Sequence, residues 1–134
     1  MISIRGLKIK AILFGSLADI LGTSLSGLIL CFIYGVIKIS QGVSAENLSK
    51  LDVQHDFLLQ VSSLIIGSVC TLLGGYIAGR MAKQSEVLHG GIVGILSLVF
   101  ASFFIFQNPL WFNIIGFIVT IPLAMAGGHI AKNK

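Results

Sequence analysis

The sequence predicts an all-α, polytopic membrane protein whose four transmembrane helices form two helical hairpins. Hydrophobic residues make up 55% of its 134 residues and charged residues only 10%, whereas a typical globular protein has about 25% charged residues. Four long apolar runs fill most of the chain, and most charged residues lie between or beside them. We therefore expect residues 1–134 to form a single four-helix transmembrane domain.

Each apolar run is close to the roughly 20 residues that a helix needs to cross a bilayer. The first run is longer than this and must tilt or protrude, while the third has only 17 residues and is at the short end of the range. The predicted spans, called first to fourth below, are 11–37, 57–78, 90–106 and 110–130, and an outer loop at 38–56 joins the first two.

The first span follows Arg5, Lys8 and Lys10, a pattern that also opens secretory signal peptides. Its apolar run is much longer than the roughly 7 to 15 residues of a signal's hydrophobic region. We therefore expect the first span to stay in the membrane as a permanent helix.

One acid, Asp19, lies inside the first span, and the nearest charged residues are Lys10 and Lys38. A carboxylate at the bilayer centre costs about 2.5 to 3.5 kcal/mol on insertion scales, so such a residue usually faces a protein interior or a cavity. Gly15 and Gly22 lie one turn away on the same face and leave room for the carboxyl. Asp19 is therefore a candidate ion or proton site, and the alternative is a structural acid, protonated or hydrogen-bonded between helices. Its candidate partners are Thr23, Ser26, Thr71, Thr120 and His89.

Each span also carries small residues three or four positions apart, which form a stripe on one helix face. Such stripes let helix backbones approach closely, because lipid provides no hydrophobic drive for helices to associate. The candidate helix-packing residues are Gly15, Gly22, Ser26, Gly67, Gly74, Ala78, Gly90, Gly94, Gly116 and Gly127.

The ends of the second and fourth spans are similar at an offset of 53 residues, since 74–80 reads GGYIAGR and 127–132 reads GGHIAK. This weak repeat predicts two hairpins of the same sense, although Gly-rich helices can also look alike by chance. Parallel repeats occur in transporters as well as in structural bundles, so the repeat favours neither function.

Two further features modify the spans and their connections. Pro122 interrupts the fourth span and removes one amide donor, so we expect a kink and a candidate hinge there. In the outer loop, Ser44 is placed to cap a short interfacial helix on which Leu48, Leu51 and His55 share one side, and the alternative is a solvated loop.

Basic residues are distributed unequally between the two ends of the predicted bundle. Lys and Arg are enriched in cytoplasmic connections, and seven lie at one end, against only Lys38 and Lys50 at the other. This bias predicts that both termini are cytoplasmic. The net charge of +4 is then explained by basic residues that orient the helices in the membrane and attract anionic lipid headgroups. We therefore expect no nucleic-acid partner. The seven are Arg5, Lys8, Lys10, Arg80, Lys83, Lys132 and Lys134.

The sequence contains no motif typical of catalysis, metal binding or a cofactor. Cys31 and Cys70 lie in different spans without metal-ligand spacing, and we expect them to be packing residues unless two helices bring them together. His89 and His129 are lone histidines near the cytoplasmic ends. We therefore expect no enzyme, no bound metal and no cofactor.

Two segments resemble known proteins. Residues 17–25, LADILGTSL, resemble the first helix of the small multidrug resistance transporters. That resemblance implies a four-helix protein working as a dimer, in which an intramembrane acid, Glu in the family and Asp19 here, exchanges protons for cationic drugs. Residues 74–80 with 88–91 (LHGG) are similar to stretches of small uncharacterised bacterial four-span proteins, which implies a bacterial inner-membrane location.

Two functions remain for such a protein. The first is a non-catalytic accessory or structural subunit, whose small-residue faces and outer loop bind sister copies or a larger complex within the lipid bilayer. The second is a small proton-coupled transporter or channel that uses Asp19 as its ion site, Pro122 as its flexible point and a dimer as its working unit. The first needs only packing residues and is the simpler expectation.

Overall fold

The computed structural model describes residues 7–51 and 56–132, and all regular structure in these ranges is helical. This confirms the all-α prediction. The helices α1, α3 and α5 are long and apolar enough to cross a membrane, while α4 is apolar but has 17 residues. In chain order the helices are α1 (Ile9–Ser40), the one-turn α2 (Ala45–Leu48), α3 (Phe57–Ala82), α4 (Glu86–Ser102) and α5 (Leu110–Lys132), with a 3₁₀ turn at Ile105–Gln107 before α5.

The four long helices run alternately up and down and form a bundle with two distinct ends. At the termini end, where α1 and α4 start and α3 and α5 finish, the backbone N–H of Lys8 reaches His89. At the loop end, the ring centroids of Phe57 and Trp111 are 5.7 Å apart, which joins the starts of α3 and α5. The helix pairs α1 with α3 and α4 with α5 are antiparallel, whereas α1 with α4 and α3 with α5 are parallel.

The helix boundaries differ most from the predictions at α4. This helix starts at Glu86 and ends at Ser102, four residues earlier at each end than the third predicted span. After the end of α4, the Asn113 side-chain amide donates to the carbonyls of Ile105 (2.8 Å) and Asn108 (3.2 Å), which holds the 3₁₀ turn against the start of α5.

Two other predicted features are the hinge candidate and the short helix of the outer loop. Pro122 lies within α5, which continues as one helix on both sides of it. In the described part of the outer loop, α1 continues to Ser40 and α2 forms one further helical turn, with Ser44 at its N-cap position without a capping hydrogen bond. Of the residues used in the predictions, Arg5, His55 and Lys134 lie outside the described ranges.

Candidate functional site

In the half of the bundle next to the termini end, helix backbones touch through glycines. A Cβ atom on Gly15 would lie 2.6 Å from the carbonyl oxygen of Gly74, and one on Gly74 would lie 2.8 Å from the carbonyl oxygen of Gly15. A Cβ on Gly127 would collide with the carbonyl of Leu72. Larger residues at these positions would therefore force α1, α3 and α5 apart.

The other predicted packing residues fall into two groups. Gly90 and Gly94 also lie at close approaches to α5, and Ala78 is fully buried. Toward the loop end the contacts are looser. Gly22 faces the Cys70 sulfur, Ser26 Oγ lies 4.0 Å from the same sulfur, Gly67 faces only the methyl group of Thr23, and Gly116 has no atom within 4 Å of a Cβ position.

Sequence reasoning missed three close-approach glycines, Gly75, Gly79 and Gly128. A Cβ on Gly75 would collide with the Ala124 carbonyl, and one on Gly128 with the Glu86 carbonyl. The available signal was the doubling of glycine at 74–75 and 127–128. The predicted stripes used only the first member of each pair.

His89 is fully buried at the termini end and does not reach Asp19. Its Nε2 accepts the backbone N–H of Lys8 (3.0 Å), and its Nδ1 lies 3.0 Å from the carbonyl oxygen of Ser85. Because an amide only donates and a carbonyl only accepts, the ring is the neutral tautomer with its proton on Nδ1. His89 thus ties the start of α1 to the first turn of α4.

Toward the loop end the four helices separate around a cavity of about 260 Å³. Phenylalanines supply much of its apolar lining, and all four long helices contribute polar side chains to its wall. Asp19 lies at the cavity end nearest the termini-end half, with hydroxyl groups on the walls that include Thr23, Ser63, Ser97 and Thr120.

Asp19 is only 2% exposed and is surrounded by hydroxyl groups from three helices. Thr71 on α3 donates to Oδ1 at 3.0 Å, Thr23 on α1 donates to Oδ1 at 3.5 Å, and Ser97 on α4 donates to Oδ2. Each partner found in the described ranges is neutral. Two of the predicted partners are therefore brought to Asp19. Ser97 was missed, although it lies three residues after Gly94 and so shares the helix face of that packing residue.

The remaining predicted partners of Asp19 bind elsewhere. Thr120 donates to the carbonyl of Gly116 at 2.6 Å, with its side chain on the cavity wall.

Cys31 and Cys70 are both free thiols. Within the ranges that the structure describes, no group of three or more His, Cys, Asp or Glu side chains is arranged to hold a metal ion.

A second carboxyl, that of Asp56, joins α1 and α3 at the loop end. It accepts hydrogen bonds from the Tyr34 hydroxyl (2.8 Å) and from the Leu59 backbone N–H (3.2 Å), so it caps α3 and joins it to α1. The Tyr34 hydrogen bond, followed by the Leu59 hydrogen bond and the charge of Lys38, lowers the pKa of Asp56. Asp56 is a structural acid, in contrast to Asp19 at the cavity.

Comparison of the chain with protein-family models, curated proteins and solved structures finds no match. A buried carboxyl at the end of a polar-walled cavity has the chemistry to take up and release a proton or a small cation. The hydroxyl groups around it can solvate the ionised form.

Proposed function

We propose that this chain crosses a bacterial inner membrane four times, with α4 as one of the spans and both termini in the cytoplasm. The 17 residues of α4 extend about 26 Å, close to the roughly 30 Å hydrocarbon core. Lys and Arg residues at the termini end outnumber those at the loop end, as the positive-inside rule requires of a cytoplasmic face. The described basic residues at the termini end are Lys8, Lys10, Arg80, Lys83 and Lys132.

Within that topology, the chain functions as a small transporter or channel, and Asp19 is its ion or proton site. One observation carries this proposal: a buried acid lies where a cavity, whose lining extends from Asp19 to Asn108 near the loop end, meets a half of the bundle closed by glycine contacts. We infer that the cavity opens at the loop end. A site near mid-bundle, accessible from one side and sealed from the other, is the arrangement that alternating access needs.

The accessory-subunit function is favoured by a different observation. The loop-end part of α1 is apolar and little covered by the rest of the chain, with Leu28 70% and Phe32 74% exposed. In a bilayer this surface faces lipid or another chain, so a sister copy or a larger complex would cover it. Purification from native membranes with identification of stoichiometric partners tests this function.

Proton flux tests the transporter proposal. The purified protein is reconstituted in liposomes that contain a pH-sensitive dye, and a membrane potential drives proton entry. We expect wild-type flux above that of empty liposomes, and flux at the empty-liposome rate for Asp19→Asn, an isostere that keeps the bundle assembled. Ser62→Ala is the matched control, because that hydroxyl bonds only the Leu58 carbonyl of its own helix, and it should conduct as wild type does.

Two results would count against the site. Normal flux through Asp19→Asn would remove Asp19 from the mechanism. No flux of protons or of a monovalent cation through the wild-type protein, with or without an imposed pH difference, would favour the accessory function.

A further inference from the structure

We propose that Asp19 and its hydroxyl partners form a binding site for a monovalent alkali cation of the size of Na⁺. This inference rests on the proposed function and deepens it by naming the coupling ion. It is carried by the charge and by the oxygen geometry of the site.

The charge of the site matches one monovalent cation. A buried carboxyl is either protonated or has its charge compensated by a cation, and the three hydroxyl partners of Asp19 are neutral. His89 is neutral and fully engaged at the termini end. A monovalent cation would neutralise the single carboxylate, whereas a divalent ion would leave a buried positive charge without the several acidic ligands that it prefers.

The ligand atoms are hard oxygens from three helices. The distance from Asp19 Oδ1 to Thr71 Oγ1 is 3.0 Å and that to Thr23 Oγ1 is 3.5 Å. Na⁺ is close in size to Ca²⁺, which binds oxygen at about 2.3 to 2.6 Å, so neighbouring ligands around it lie roughly 3.3 to 3.7 Å apart. The Thr23 oxygen already lies in this range, and a movement of a few tenths of an ångström would bring the Thr71 oxygen into it.

The hydroxyl protons have alternative acceptors. Ser97 has one hydroxyl proton but two acceptors, the carboxylate of Asp19 and the Val93 carbonyl at 3.0 Å. Serine and threonine in helices commonly donate to the carbonyl four residues earlier. With the proton on Val93, the lone pairs of Ser97 are free for a cation beside Asp19.

The cavity provides the route to this site. It connects Asp19 with the loop end, and Thr120 on its wall already directs its proton to the Gly116 carbonyl, which leaves oxygen lone pairs available for a hydrated cation. The glycine contacts of the termini-end half close the other side.

Cation binding is tested on the full-length purified protein with ²²Na⁺ and by thermal unfolding. We expect saturable ²²Na⁺ binding and an unfolding midpoint that rises with NaCl but not with choline chloride at equal ionic strength, because a ligand that binds only the folded state stabilises it. Asp19→Asn should abolish both effects, and Ser97→Ala should weaken Na⁺ affinity at least about tenfold. Ser102→Ala is the control, because the Ser102 hydroxyl donates only to the Val99 carbonyl at the exposed end of its own helix. This variant should bind Na⁺ with the affinity of the wild-type protein.

The outcomes separate this inference from the proposed function. No saturable ²²Na⁺ binding to the wild-type protein at neutral and alkaline pH, or a sodium effect that survives in Asp19→Asn, would overturn the cation site. Proton flux in sodium-free choline buffer, measured on the same preparation, would then leave the transporter proposal standing with the proton as its ion. Sodium binding without any flux would support the cation site and contradict the transporter.

Discussion

The termini-end half and the loop-end half of the bundle use the same kind of small residue for opposite purposes. Gly127 on α5 lies against the backbone of α3, while Gly116, three turns earlier on the same helix, borders the cavity with no atom near its Cβ position. Among the described residues, all the buried ones except Gln60 lie at or beyond Asp19 toward the termini end. A small residue thus permits either close contact or open space, and the neighbouring helix decides which.

This difference has an energetic meaning in a membrane. Helices in lipid associate through close packing and interhelical hydrogen bonds, because the hydrophobic effect does not hold them together there. The glycine contacts therefore concentrate stability in the termini-end half. The loop-end half has looser glycine contacts, and the cavity with Asp19 lies in that half.

The largest expected effect comes from replacing a glycine with alanine in the termini-end half, and the same replacement in the loop-end half is the comparison. Gly127→Ala should lower the free energy of unfolding by about 3 kcal/mol, because the new Cβ would meet the Leu72 carbonyl and the Tyr76 nitrogen, the latter at 2.7 Å. Gly116→Ala should change it by less than about 0.5 kcal/mol. Unfolding in mixed micelles with increasing denaturing detergent measures both. Equal losses from the two substitutions would contradict the distinction between the halves.

A smaller effect is expected where a polar group is buried in the packed half. His89→Ala should cost about 1 to 3 kcal/mol, because it leaves the Lys8 backbone N–H without its acceptor. Hydrogen exchange at the Lys8 amide should also accelerate, as the start of α1 loses its attachment. His129→Ala is the control, since His129 is exposed near the end of α5. An unchanged exchange rate in His89→Ala would show that this attachment is unimportant.

The smallest effect is expected at the loop end, where Tyr34 and Asp56 form a single fastening. Tyr34→Phe should cost about 0.5 to 1 kcal/mol. Because the folded-state pKa of Asp56 is lowered, the stabilisation is fully present above its ordinary value of 3.8 and is lost as the pH falls through the lower folded-state value. Unfolding curves in this acid range should therefore be less pH-dependent for Tyr34→Phe than for wild type. Parallel pH curves would contradict the role of this hydrogen bond.

The sequence was sufficient for features that depend on local pattern. The composition and the apolar runs predicted the helices, and the glycines beside Asp19 predicted that its carboxyl turns toward protein. The spacing of small side chains by three or four residues identified Gly15, Gly74 and Gly127, which do lie at backbone contacts.

Features set by a distant helix could not be predicted. Ser97 is 78 residues from Asp19, and Lys8 is 81 residues from His89, so neither pairing leaves a local signal. The turn that follows α4 is held by the side chain of Asn113 on the next helix. The open space at Gly116 depends on how far the other helices lie from it, which its own stripe does not encode.

The most direct test of the difference between the halves is the accessibility of two matched cysteines. In a background with Cys31 and Cys70 replaced by serine, Ser63→Cys lies on the cavity wall, whereas Ser16→Cys lies in the packed half, where the Ser16 hydroxyl is buried and has no hydrogen-bond partner among the described residues. A membrane-impermeant thiol reagent is added to sealed vesicles from the side of the loop end. We predict rapid labelling of Ser63→Cys and protection of Ser16→Cys. Equal protection of both cysteines, or faster labelling of Ser16→Cys, would contradict a cavity that opens toward the loop end.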